Sequence, residues 1–178
     1  MRPTNLLFIC SDQHNRAMTG CYGHPLPVTP NLDALAARGT RFANAYTNSP
    51  ICMPVRASLA TGRYVHQLGA WDNAHPYTGS VDSWHHRLRD QGHRVDSIGK
   101  LHFRGDPGDD HGFTQEHFPL YRRGAGDVPA CLRGAMPART IRIDFDAAGP
   151  GDSSYLRYDR RNTDSACSWL AQRATSQG

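Results

Sequence analysis

Residues 5–10 form a short apolar run, Leu6-Leu7-Phe8-Ile9-Cys10 after Asn5, which stops abruptly at Ser11, Asp12 and Gln13. Unbroken apolarity over this length predicts a buried parallel strand whose carboxyl end delivers the polar residues. A Gly-, His- and Pro-rich loop covers 20–27. Thr29 and Pro30 then open a helix, with Thr29 as N-cap, Pro30 at the first helical position, and Leu32, Leu35 and Ala36 on one face. Gly39 is its natural stop. Alternation through Phe42 and Tyr46 predicts a strand over 40–47.

Residues 50–62 read as a turn entering a short helix, with Pro54 near its first turn and Gly62 at its end. Ser80 predicts the cap of a helix running to about Gln91, with Trp84 and Leu88 one turn apart and Gly92 beyond. A strand follows at 94–98, and Gly99-Lys100-Leu101-His102 lies just past its end. From 104 to 151 the pattern fades into Gly, Pro and Asp, with a strand expected only at 140–145. Helical period returns at 158–174, where Ala166, Trp169, Leu170 and Ala174 share a side. Alternating strands and helices predict an α/β fold with a mostly parallel sheet flanked by helices. The expected organisation is one domain: a core over 1–105, an irregular insertion over about 106–150, and a helix over about 155–174.

The 178 residues, with 38% hydrophobic and 20% charged, describe a folded but loop-rich chain. A formal charge of +4 comes from scattered residues rather than a basic stripe, so a nucleic-acid partner is not expected. The pairs Arg122-Arg123 and Arg160-Arg161 read as solvated faces. No apolar run approaches the ~20 residues of a membrane span, and none resembles a secretory leader, so a cytoplasmic protein with no membrane partner is expected. The 5 cysteines contain no CxxC and read as reduced thiols, Cys10 and Cys167 as core residues. His14, His24, His66, His75, His85, His86 and His93 read as surface or rim residues. Ser58 reads as capping or packing.

Three polar groups fall at strand ends or helix starts: Asp12-Gln13, the stretch from Cys52 to Arg56, and Lys100 with His102. Ligands of open α/β sheets bind outside the carboxyl ends of the strands, so these groups are expected to meet at one edge. They would supply a hard-metal oxygen, a reactive side chain at a helix start, and cationic donors. That set suits an oxyanion-transfer centre acting on a sulfate or phosphate ester. His102, two residues beyond Lys100 on an extended segment, is expected to project to the same side.

Cys52-x-Pro54-x-Arg56, with Thr61-Gly62 behind it, resembles the signature of the formylglycine-dependent sulfatases of the alkaline-phosphatase-like superfamily. The resemblance also includes the opening strand ending in Asp12-Gln13, the Thr-Pro-Asn-Leu-Asp segment at 29–33, and Gly99-Lys100-x-His102. It extends from about Asn5 to His102, with a weaker echo at 155–170. Four such elements in order make it specific.

The resemblance implies a hydrolase of sulfuric esters. Cys52 would be converted to formylglycine by a formylglycine-generating enzyme, and its hydrate would attack the sulfur of a sulfated small molecule or saccharide. A Cys52 thiolate at the helix start is the less obvious alternative nucleophile. Asp12, Gln13 and the modified Cys52 would hold one divalent cation, Ca²⁺ first, with Mg²⁺ or Mn²⁺ as alternatives. Gln13 stands where many members carry a second Asp. Arg56 would hydrogen-bond the modified residue, Lys100 would contact a sulfate oxygen, and His102 would accept the diol proton. Members are several hundred residues long and complete their site further along, so a truncated chain, inactive alone and weak in binding calcium, is expected. The alternatives are a phosphonate or phosphodiester hydrolase with the same nucleophile, or a non-catalytic sulfatase-like fragment. Asp109-Asp110-His111 is not assigned to the metal site.

Overall fold

The computed structural model describes residues 5–26, 28–123 and 150–175. They divide into two units, one ending at Tyr46 and one starting at Thr47.

The first unit contains two 3₁₀ turns, Arg16–Met18 and Gly20–Tyr22, and helix α1, Pro30–Arg38. Pro30 occupies the first turn of α1, as its preset φ favours. Thr29 precedes the helix, but its side chain caps no helical N–H. Its hydroxyl accepts from the Gly20 N–H at 2.9 Å and donates to Asp33 at 3.2 Å. Asp33 also accepts from the Cys21 N–H at 2.6 Å, which ties the second 3₁₀ turn to α1. No strand forms at 5–10 or at 40–47. Leu6, Leu7, Phe8 and Ile9 are exposed, as are Cys10, Leu32, Leu35, Phe42 and Tyr46. Apolar pattern alone does not make a parallel strand, which needs a neighbour to accept its hydrogen bonds. The expected core position of Cys10 is corrected for the same reason.

The second unit is built on α2, Cys52–Thr61, followed by α3, Val65–Leu68, α4, Trp84–Asp90, and α5, Ser154–Thr175. Its sheet pairs β1, Asp96–Ile98, in parallel with β2, Gln115–His117. Strand β2 falls in the stretch whose pattern had faded. Its register places Asp96, Ser97 and Ile98 against Gln115, Glu116 and His117. The pairing continues past the strands, through Gly99 N–H to His117 O at 2.8 Å, Leu101 N–H to Pro119 O at 2.7 Å, and a bridge at Arg104 and Arg122. Ala57, Ala60, Ala70, Tyr77 and Phe103 form the core, with Leu68, Leu101 and Phe113 against it.

The helix expected from Ser80 starts later, with Ser83 as N-cap, its hydroxyl accepting from the His86 N–H at 3.3 Å. The histidines that follow are buried, not superficial. His85 and His86 are 5% and 6% exposed, and His111 is 3% exposed. His86 Nε2 donates to the Asp110 carbonyl at 3.1 Å, leaving Nδ1 to accept from the Ser83 N–H at 3.1 Å. His85 Nδ1 donates to the His111 carbonyl at 3.1 Å, and its ring stacks 4.0 Å from Phe113. His111 Nδ1 faces Glu116 at 3.2 Å. Asp109 is taken by Arg104 and Asp110 by Arg89, so both are structural ion pairs.

Helix α5 packs on β1. Ser153 caps it, accepting from the Leu156 N–H at 3.1 Å. Trp169 uses its indole N–H as well as its ring, donating to Asp96 at 2.8 Å. Cys167, expected in the core, is exposed on this helix. The strand expected at 140–145 and Cys131 lie outside the described residues. Among the described residues no helix is long and apolar enough to cross a membrane.

Candidate active site

Cys52 is the first residue of α2, half-buried and not in a disulfide. The preceding Ile51 has no side-chain oxygen, so the helix start takes its cap from elsewhere. Asn73 accepts from the Met53 N–H at 3.1 Å. Pro54 has no N–H to satisfy, and Val55 N–H makes the first helical bond to Ile51 O at 3.0 Å. Met53 and Pro54 are fully buried and anchor this end. The backbone dipole of the ten-residue helix favours negative charge near residue 52.

At the other end Gly62 adopts φ 69° and closes the helix onto Ser58 O at 2.8 Å. Ser58 accepts from Asn48 at 2.6 Å and donates to Arg63 O at 2.6 Å, the packing role expected for it.

Arg56, one turn after Cys52, donates through Nη1 to the Lys100 carbonyl. This joins the helix carrying Cys52 to the turn carrying Lys100 and His102. Gly99 begins that turn with φ 98°, and a Cβ there would lie 3.2 Å from Asn162 of α5. His102 has φ 55° and is 6% exposed. Its backbone is left-handed rather than extended, so the alternation that would place it beside Lys100 does not apply.

Lys100 is the only lysine in the sequence. Its charge acts on the phenol of Tyr158 in α5. Burial pushes the Tyr158 phenol up from its usual range, opposed by a hydrogen bond with Asn162 and by the charges of Arg161 and Lys100. Asn73, Tyr158 and Asn162 escape sequence reasoning. Asn73 caps a helix twenty residues away, and the α5 residues meet Lys100 only through the fold.

Asp12 and Gln13 belong to the first unit. Gln13 has φ 57°, a left-handed conformation unusual for glutamine. Among the described residues no three His, Cys, Asp or Glu side chains are grouped to hold a metal ion. Ca²⁺ takes roughly 6–8 oxygens, so these residues do not by themselves make a cation site.

The chain matches the family model described as Sulfatase over residues 4–174. It is 42% identical over 106 residues to the uncharacterized sulfatase YidJ of Escherichia coli (strain K12), covering 59% of this chain and 21% of that protein. One similar solved structure is a protein in complex with its substrate D-glucosamine-2-N,6-O-disulfate, with TM-score 0.54 and 34% identity, covering 59% of this chain and 21% of that one. Another is the phosphonate monoester hydrolase of Agrobacterium radiobacter, with TM-score 0.53 and 26% identity, covering 61% of this chain and 24% of that one. The chain spans about a fifth of the length of these relatives. With a match over nearly all of its residues and the alkaline-phosphatase-like fold of its structural neighbours, the chain belongs to the sulfatase family.

Proposed function

We propose that this chain carries the nucleophile half of a sulfuric ester hydrolase, with Cys52 as the precursor of a formylglycine nucleophile. The observation that supports it most is the junction of α2 with the Lys100 turn through Arg56. It gives one frame to a residue at a dipole-favoured helix start and to a cation suited to sulfate oxygens.

A formylglycine-generating enzyme, supplied with an oxygen-atom donor as oxidant, converts the Cys52 CH₂–SH to an aldehyde as the sulfur leaves as hydrogen sulfide, and water adds to give a gem-diol. One hydroxyl oxygen bonds to the ester sulfur, the S–O bond to the alcohol breaks, and the alcohol leaves with a proton. His102 then takes the proton of the second hydroxyl. The C=O bond re-forms as the C–O bond to sulfate breaks, so the aldehyde is regenerated. Lys100 balances charge on the sulfate oxygens, and Arg56 holds the two segments in register. Asp12 and Gln13 would contribute oxygens toward a divalent cation, Ca²⁺ first, whose remaining donors are not assembled among the described residues. Turnover by this chain alone is therefore expected to be far below that of an intact sulfatase. The disulfated sugar bound by one structural neighbour supports a sulfated saccharide as the substrate class.

The phosphonate monoester hydrolase among the neighbours favours one second reading, the same nucleophile acting on phosphonate esters. Matured protein, completed by a downstream segment of the family's catalytic domain, is assayed against an aryl sulfate and an aryl phosphonate monoester, with Cys52→Ala in the same completed form as baseline. Faster cleavage of the sulfate, lost in Cys52→Ala, is expected. Faster cleavage of the phosphonate reassigns the ester class. Equal rates in the two proteins overturn residue 52 as nucleophile.

A further inference from the structure

The backbone around Lys100 is gripped from several sides. Arg56 takes its carbonyl. Gly99 before it and Leu101 after it donate to His117 O and Pro119 O, at 2.8 and 2.7 Å. The residue those two bonds bracket is Phe118, whose φ of 54° is left-handed. An L side chain is strained in that conformation, so something must fix it. Helix α5 does so. Tyr158 donates its hydroxyl to the Phe118 carbonyl at 2.6 Å, and the Arg161 guanidinium lies 4.0 Å from the Phe118 ring centre. On the next turn Asn162 crowds position 99, its Nδ2 3.2 Å from where a Cβ there would lie.

We propose that Tyr158 is a positioning residue for Lys100: its hydroxyl, acting through the Phe118 carbonyl, fixes the segment on which the lysine's turn is laid. The proposal rests on the reading of Lys100 as the oxyanion contact. Burial keeps the phenol protonated well past neutrality, so it stays a donor wherever an ester hydrolase works. Asn162, one helical turn after Tyr158, stands 3.2 Å from where a Cβ at position 99 would lie, so the same face of α5 meets both ends of the clamp. Ring packing alone needs no hydroxyl, so Tyr158→Phe separates positioning from bulk.

A single lysine makes the test direct. Reductive methylation with ¹³C-formaldehyde labels Lys100 and the terminal amine only, and the two dimethylamine signals are followed by NMR on the full chain. The wild-type Lys100 signal is expected away from the position of free dimethyl-lysine. In Tyr158→Phe it is expected to move to that position, with far-UV circular dichroism unchanged. Asn162→Ala is expected to do the same, and it carries the test if Tyr158→Phe does not fold. Thr163→Ala, exposed on the same helix, is expected to leave the signal in place. A Lys100 signal unmoved in both clamp variants, or already at the free position in the wild type, overturns the proposal. Titration with inorganic sulfate separates the two layers. Half-saturating sulfate is expected to rise at least five-fold in Tyr158→Phe. A wild-type signal that sulfate does not move overturns Lys100 as the oxyanion contact, while the variants still decide the clamp.

Discussion

The Arg56 guanidinium, on the helix that begins with Cys52, donates to the backbone carbonyl of Lys100, 44 residues away in sequence. A charge-assisted bond of this kind contributes roughly 1.5–3 kcal/mol when half-buried. Arg56→Ala is expected to lower unfolding stability by about that amount. Arg56→Lys is expected to recover little of it, because an ammonium lacks the planar reach of a guanidinium. Urea unfolding of the three proteins checks this, and an Arg56→Ala midpoint equal to wild type contradicts it.

The turn itself depends on Gly99. At φ 98° any L side chain is strained, and the added carbon would sit 3.2 Å from Asn162. Gly99→Ala is expected to cost about 1 kcal/mol or more and to shift the Lys100 ¹³C signal. Gly112 is tighter still, since a Cβ there would stand 2.2 Å from the His86 nitrogen. Gly112→Ala is expected to be the more damaging change, read as a lower thermal midpoint.

Acid weakens the second unit through His85. Burial holds this imidazole down at about 4, against an ordinary value of 6.5. The unfolded chain therefore binds the proton first, so the stability from neutral His85 is complete above pH 6.5 and is lost as pH falls toward 4. The loss is at most about 3 kcal/mol. Urea midpoints at pH 7.5, 5.5 and 4.5 are expected to fall in that order. His85→Asn, which keeps a donor near the His111 carbonyl, is expected to flatten the slope; an equal slope in both proteins contradicts the assignment.

Much of this was legible from local chemistry, and the misses share one cause. Helix α2 and its αL stop at Gly62 follow from residues within the helix, as does Pro30 at the start of α1. The run at 5–10 has strand composition, but a strand is a relation to a neighbour that composition does not contain. His85 and His86 looked superficial because imidazoles are polar. Ser83 and the carbonyls of Asp110 and His111 satisfy them inside. Of the proposed site, Cys52, Arg56 and Lys100 are marked by motif, whereas Asn73 and Tyr158 bond to residues distant in sequence with no local pattern.

The Arg89–Asp110 pair gives a second acid effect, in a lower window. The two guanidinium bonds hold the Asp110 carboxyl well below the usual carboxylate range. Its contribution is therefore present above the unfolded value near 4 and lost as pH falls below it. The pair is exposed, so the effect is within about 1 kcal/mol and weakens with salt. Asp110→Asn is expected to remove a salt-sensitive part of stability measured at pH 7. Identical salt dependence in both proteins would falsify this.

The central claim is that residue 52 is a modified nucleophile, and its mass decides it. The protein is made alongside a formylglycine-generating enzyme, in cells that mature a control sulfatase. The peptide containing residue 52 is then analysed by mass spectrometry, with and without an aldehyde-selective hydrazide. An aldehyde at position 52, captured by the hydrazide and absent from Cys52→Ala, is the predicted result. Unmodified cysteine alone at position 52, beside a fully converted control, would contradict it.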